Sequence, residues 1–125
     1  MQIDYDYLSK VLKVFLASDT PTVTWKNFSE FHGGDQENKL IFHMEILADR
    51  GLVQSYLKGG GLGFALMGSG GYTISIVPWR LTADGHDFAS ELQKPSVLQL
   101  IGTKLKSEGL AVVTKVVTSL ATQQA

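Results

Sequence analysis

The chain has 125 residues, 44% of them hydrophobic and 18% charged, with a formal net charge of −1. This length carries one domain with a sizeable core, and the composition is globular rather than disordered. So small a net charge supplies no global positive field to draw nucleic acid or acidic lipid, and the absence of cysteine excludes disulfides, thiolate metal sites and cysteine nucleophiles.

The charge is mildly polarised, with eight acids and five bases in residues 1–50 against four and six in residues 51–125. The opening MQIDYDYLSK lacks the basic and then apolar regions of a signal peptide. No apolar run approaches the ~18–20 residues that span a bilayer. The expectation is a soluble cytoplasmic protein that is not in the membrane.

From Asp4, the segment YDYLSKVLKVFLAS predicts an amphipathic helix. Leu8, Val11, Leu12 and Phe15 recur at i, i+3, i+4 and i+7, Asp4 is placed to cap the free amides of the first turn, and Pro21 ends the run. TVTW is a short β-like segment, KNFSEF a helix of about two turns, and HGG a break. DQENKLIFHMEILADR, from Asp35 to Arg50, is strongly helical, with Leu40, His43, Met44 and Leu47 on one face. Asp35 stands at its capping position and Gly51 where a terminal glycine belongs. LVQSYLK and YTISIVPWRL read as strands, with Pro78 marking an edge or bulge. Residues 52–58 and 72–80 are expected to pair as antiparallel strands. LTADGHDFASELQ is a further helix capped by Thr82. Pro95 separates it from SVLQLIGTKLKSEGLAVVTKVVTSLATQQ, which Gly109 breaks in two.

This order is helix, short strand, two helices, strand, glycine-rich loop, strand, helices. It predicts an α+β fold, a winged helix-turn-helix with a two- or three-stranded β-wing and an α-helical C-terminal extension. Residues 1–94 would form the winged-helix domain. Residues 95–125 would form the extension, packed on it or lying at a dimer interface.

The glycine-rich loop KGGGLGFALMGSGG (Lys58–Gly71) fails both phosphate motifs. In GxxxxGK the lysine position is Ser69, and in GxGxxG the third glycine falls on Leu66. The glycines are read as hairpin punctuation. Two readings of LGFALM stay open, an extra strand packed on the domain or an exposed apolar patch that meets a partner chain.

Two stretches carry a resemblance. FHMEILADRGLV resembles the HLxxLxxxGLV signature that ends the recognition helix in many bacterial winged-helix regulators. WRLTADGHDFASEL resembles the R-L-T-x-x-G-H-x-F hallmark of a family of small bacterial and phage proteins described as a domain of unknown function. The resemblance covers nearly the whole chain and implies a winged-helix fold and a bacterial, prophage or phage setting. It carries over no catalytic or binding residue. The hallmark also has a structural reading from the residues themselves. Thr82 caps a helix, Gly85 permits close packing, Phe88 and Leu92 reach the core, and His86 bonds a backbone carbonyl.

No histidine pair among His32, His43 and His86 has metal-ligand spacing, and neither HExxH nor GxSxG is present. The chain is therefore expected to be non-enzymatic, without metal or small-molecule cofactor, and His43 is read as a core histidine. On the presumed recognition helix, Gln36, Lys39, Ile41, Phe42 and Glu45 are expected outward. Gln36 and Lys39 suit base edges or phosphate, with Lys26, Arg50 and Lys58 holding phosphates around them. Ile41, Phe42 and Glu45 suit protein instead. The expected partner surface is Ile41, Phe42 and Glu45 with Leu62, Phe64, Leu66 and Met67. Leu110, Val113, Val117 and Leu120 form a stripe that either packs on the domain or builds a homodimer seam. The leading reading is a regulatory interaction protein that binds a protein partner or itself through apolar surface. A transcriptional regulator of double-stranded DNA is the alternative.

Overall fold

The computed structural model describes residues 1–34, 36–57 and 60–123. The chain opens with α1 (Tyr5–Ala17), whose Asp4 carboxylate accepts from the Tyr7 amide at 3.1 Å. This bond satisfies one of the donors that a helix start leaves free. Leu8, Val11, Leu12 and Phe15 are buried on one face, as their spacing requires. A 3₁₀ helix (Trp25–Phe31) follows, closed by reciprocal bonds between Thr24 and Asn27. Next comes α2 (Gln36–Asp49), ended by Gly51 at φ +70°, a conformation that side-chain-bearing residues resist. The predicted cap of α2, Asp35, lies outside the described residues.

Four short strands come next: β1 (Val53–Ser55), β2 (Phe64–Leu66), β3 (Tyr72–Ile74) and β4 (Trp79–Leu81). β1 pairs antiparallel with β4 in the register Val53↔Leu81 and Ser55↔Trp79. On the other side of Trp79, Val23 exchanges two backbone bonds with it (2.9 and 2.7 Å). The expected single hairpin of 52–58 with 72–80 is thus corrected. Only its base pairs in that way, while residues 72–74 pair with 64–66 in a nested hairpin. Pro78 explains the change of partner. It has no amide to continue the ladder, and its carbonyl accepts from Tyr56 at 2.8 Å. At the hairpin tip the Gly70 amide donates to Met67, with Gly70 at φ +96°.

The hallmark segment forms the turn into α3 (Ala83–Leu92). The Thr82 hydroxyl accepts from the Gly85 amide at 3.0 Å and donates to the Gly51 carbonyl at 2.6 Å, so one side chain starts α3 and ties it to the end of α2. His86, expected to bond a carbonyl, is exposed, and its imidazole makes no such bond among the described residues. Two helices complete the fold, α4 (Pro95–Thr103) and α5 (Leu110–Gln123). α5 packs along α3, which in turn packs against α1. The Gln93 amide reaches back to the Ser9 carbonyl of α1 at 2.8 Å.

The result is a mixed α+β body with one continuous core running from Tyr7 and Leu8 of α1 to Val117 of α5. Trp79 is fully buried at its centre, with ring centroids 5.8 Å from Phe28 and 5.7 Å from Phe64. Its indole N–H donates to the Leu62 carbonyl at 2.9 Å, so even this polar atom is satisfied. The base of the nested hairpin is therefore part of the core, although its tip is not.

Candidate functional site

α2 presents two contrasting flanks. Toward α1, His43 is fully buried, and its ring lies between two backbone groups of fixed role. The Asp4 amide can only donate, and it reaches Nε2 at 3.0 Å; the Lys39 carbonyl can only accept, and it lies 2.8 Å from Nδ1. These partners select the neutral tautomer with the proton on Nδ1. Burial holds the His43 pKa below the ordinary imidazole value, against the opposing pull of the Lys39 carbonyl. The expectation of a core histidine matches this environment.

Lys39 belongs to the same junction. Its ammonium lies 3.0 Å from Asp4 Oδ2 and 4.6 Å from the centre of the Tyr7 ring. The Tyr7 amide and Lys39 together hold the Asp4 carboxyl below its usual range. Lys39 was expected to face bases or phosphates, and the structure instead directs it to the start of α1. The Tyr7 hydroxyl is buried without a hydrogen-bond partner among the described residues, and burial pushes its pKa up to about 12.

The α2 residues expected to form a partner surface are Ile41, Phe42 and Glu45, and one of them is corrected. Ile41 is 1% exposed. A single covering neighbour would leave position 41 at the rim. Here α1, the 3₁₀ helix and β1 all meet α2, and the buried arc widens to take in Leu40, Ile41, His43, Met44 and Leu47. Phe42 is half-buried, with its ring edge-on to His43 at 5.1 Å, and Glu45 is exposed.

Leu62 and Phe64 are half-buried. Phe64 stands edge-on to Trp25 and Trp79, both at 5.7 Å. Beyond them Leu66 is 68% and Met67 41% exposed. LGFALM thus packs as a strand at its base, while Leu66 and Met67 at its tip are exposed. A hollow of about 260 Å³ lies between the two elements, lined by Glu45, Ala48 and Asp49 of α2 and by Gly61, Leu62 and Phe64. The structure therefore brings Glu45 together with the hairpin base. Asp49 escaped the sequence reading, although its position one turn after Glu45 places both carboxylates on one face.

The DNA-contact candidates do not converge in this way. Gln36 is exposed at the start of α2 and Lys26 at the start of the 3₁₀ helix, while Arg50 lies past the far end of α2, about 21 Å from Gln36 at 1.5 Å per residue. Lys58 lies outside the described residues. Of the two readings of the α5 stripe, packing on the domain is the one its environment matches. Val113 and Val117 are fully buried against the protein's own core, with Leu110 and Leu120 half-buried beside them. α3 supplies the cover.

Among the described residues no group of three or more His, Asp or Glu is arranged to hold a metal ion, and no helix is long and apolar enough to cross a membrane. Comparison with protein-family models, curated proteins and solved structures returns no match.

Proposed function

We propose that this chain is a winged-helix interaction module that docks a protein partner and has no enzymatic activity of its own. Support for the winged-helix reading is the order α1, Val23 bridge, 3₁₀ helix, α2, β1, wing, β4, with Trp79 of β4 central between Val23 and β1. The resemblance of WRLTADGHDF to the hallmark of the bacterial and phage family points the same way.

The observation that carries the interaction reading is the charge-free wing. Between Lys58 and Arg80 there is no charged residue, and the wing ends in exposed Leu66 and Met67. A wing that follows a DNA backbone needs cations, because neutralised phosphates supply most of the affinity. Here the neighbouring face of α2 adds Glu45 and Asp49, which repel phosphate. Exposed apolar surface rimmed by polar groups fits a protein contact instead.

Purification of the tagged chain from its native cells, with and without nuclease, tests this proposal. A protein partner should remain after nuclease and be lost in a Leu66→Asp/Met67→Asp variant. Random duplex DNA at ~150 mM salt should bind no tighter than about 10⁻⁵ M. Tight, salt-sensitive binding that is lost on Lys26→Glu would replace this reading with the duplex-binding one.

A further inference from the structure

Among the described residues no strand pairs with the outer edge of β2. Hydrogen bonds alternate along an antiparallel pair. Here the Ser75 amide donates to the Gly63 carbonyl at 2.8 Å and the Met67 amide to the Gly71 carbonyl at 2.7 Å. With Ala65 opposite Thr73, the inward-bonded positions on this strand are 63, 65 and 67. The amide and carbonyl groups of Phe64 and Leu66 therefore point away from β3. Among the described residues none of them has a hydrogen-bond partner. Sheet edges are ordinarily protected by charge, proline or a covering element. This one has no charged residue from 59 to 79, and its outermost side chain, Leu66, is 68% exposed.

Near the base of β2 stand Glu45 and Asp49, both exposed, and no cation among the described residues pairs with either. They share the hollow with Leu62 and Phe64. A helix laid there would leave the Phe64 and Leu66 backbone groups unmet, whereas an extended strand satisfies them. A second copy of the hairpin would bring no charge to the two carboxylates.

We infer that the β2 edge takes an extended segment of a partner protein as an added strand, with a lysine or arginine of that segment set between Glu45 and Asp49. The backbone bonds would supply affinity, and the alternate side chains together with the cation would supply selectivity. The inference rests on the interaction reading and specifies how the partner is held.

A displayed library of random twelve-residue peptides, selected on the full chain, supplies the probe, and the strongest binder is then synthesised for fluorescence anisotropy. The selected peptides should alternate β-branched or aromatic residues with polar ones and carry a basic residue. Glu45→Lys should weaken binding about tenfold or more. Leu66→Pro should do the same, because it deletes an outward amide while the ladder donors Ala65 and Met67 stay intact. Leu66→Ala should retain binding within about threefold. Peptide addition should slow hydrogen exchange at the Phe64 and Leu66 amides.

A control that does not depend on the variants folding is methylation of alternate peptide amides. One set should abolish binding and the other should leave it unchanged. A library with no binder, helical or acidic selected peptides, or equal effects of both methylated sets would overturn the inference. Self-association of the peptide-free chain that Leu66→Pro abolishes would do so as well, by giving the edge to a second copy. Peptides that bind but ignore Glu45→Lys and Leu66→Pro would remove strand addition and leave the interaction reading standing. Loss of every co-purified protein on nuclease treatment removes that reading itself.

Discussion

Gly85→Ala should destabilise this protein, although the same change in an ordinary helix stabilises it. Alanine is favoured over glycine by about 1 kcal/mol in a helix interior. Gly85 lies in the first turn of α3, where an added Cβ would collide with the Leu52 carbonyl oxygen, stand 2.7 Å from its carbonyl carbon and 3.1 Å from its Cα. All three atoms are backbone, so no rotamer change relieves the overlap. The start of α3 would have to withdraw from the end of α2. That movement stretches the Thr82 amide bond to the Leu52 carbonyl (3.0 Å) and the Thr82 hydroxyl bond to the Gly51 carbonyl (2.6 Å).

Two such hydrogen bonds are worth about 1 kcal/mol each, and overpacking adds roughly 1–3 kcal/mol. After the helix-propensity gain is offset, the net loss is about 2–4 kcal/mol. At this chain length that lowers Tm by roughly 8–16 °C. Gly102 in α4 is the control, because a Cβ there meets nothing within 4 Å. Gly102→Ala should raise stability by about 0.5–1 kcal/mol. Urea and thermal unfolding followed by circular dichroism read both variants. If Gly85→Ala comes within ~0.5 kcal/mol of wild type, or above it, the close docking of α3 on Leu52 is wrong.

Three other perturbations have definite signs. Because the folded-state pKa of His43 lies below its unfolded value, its contribution to stability is complete above about pH 6.5 and is lost as the pH falls below that value. Imidazolium would aim a second N–H at the Asp4 amide, and the urea midpoint should drop between pH 7.5 and 5.5 more steeply in wild type than in His43→Asn. Tyr7→Phe removes a buried, unpartnered hydroxyl and should be neutral or stabilising by up to about 1 kcal/mol; a loss above that in a thermal melt would reveal a missing partner. Val117→Glu puts a charge at a fully buried position on α5 and should cost several kcal/mol while light scattering shows an unchanged mass. A fall in mass without a fall in Tm would instead mean that a second chain, rather than α3, covers Val117.

The helix limits were legible in the sequence because local chemistry sets them. Asp4, Thr82, Gly51 and Pro95 each act on a neighbouring turn, and each does so where the residue pattern indicates. What escaped depends on distant partners. A helical pattern shows that Leu40 and Met44 face inward, but not that three elements would cover α2 and take Ile41 with them. Lys39 reads as a free cation until Asp4, 35 positions earlier, is brought beside it. The apolar stripe on α5 announces burial without naming its cover. Residues 72–80 have one continuous β character, and only the competing β2 segment and the missing amide of Pro78 divide them between two sheets. At the site, the carboxylates and the apolar tip could each be read in the sequence. The hollow that joins Glu45 and Asp49 to the hairpin base could not, because it depends on how Leu62 and Phe64 lean on Trp25 and Trp79.

The β1–β4 ladder and the Thr82 bonds close the base of segment 56–78 without help from the hairpin tip. A loop closed in this way grows cheaply, since each doubling of its length costs only about 0.6 kcal/mol. The requirement is different at Leu62 and Phe64, which roof Trp79 and satisfy its indole N–H. The hairpin thus divides into a fixed root and a replaceable crown. Residues 65–73 form a position where a foreign hairpin or an added strand pair could be inserted while the body beneath keeps its fold.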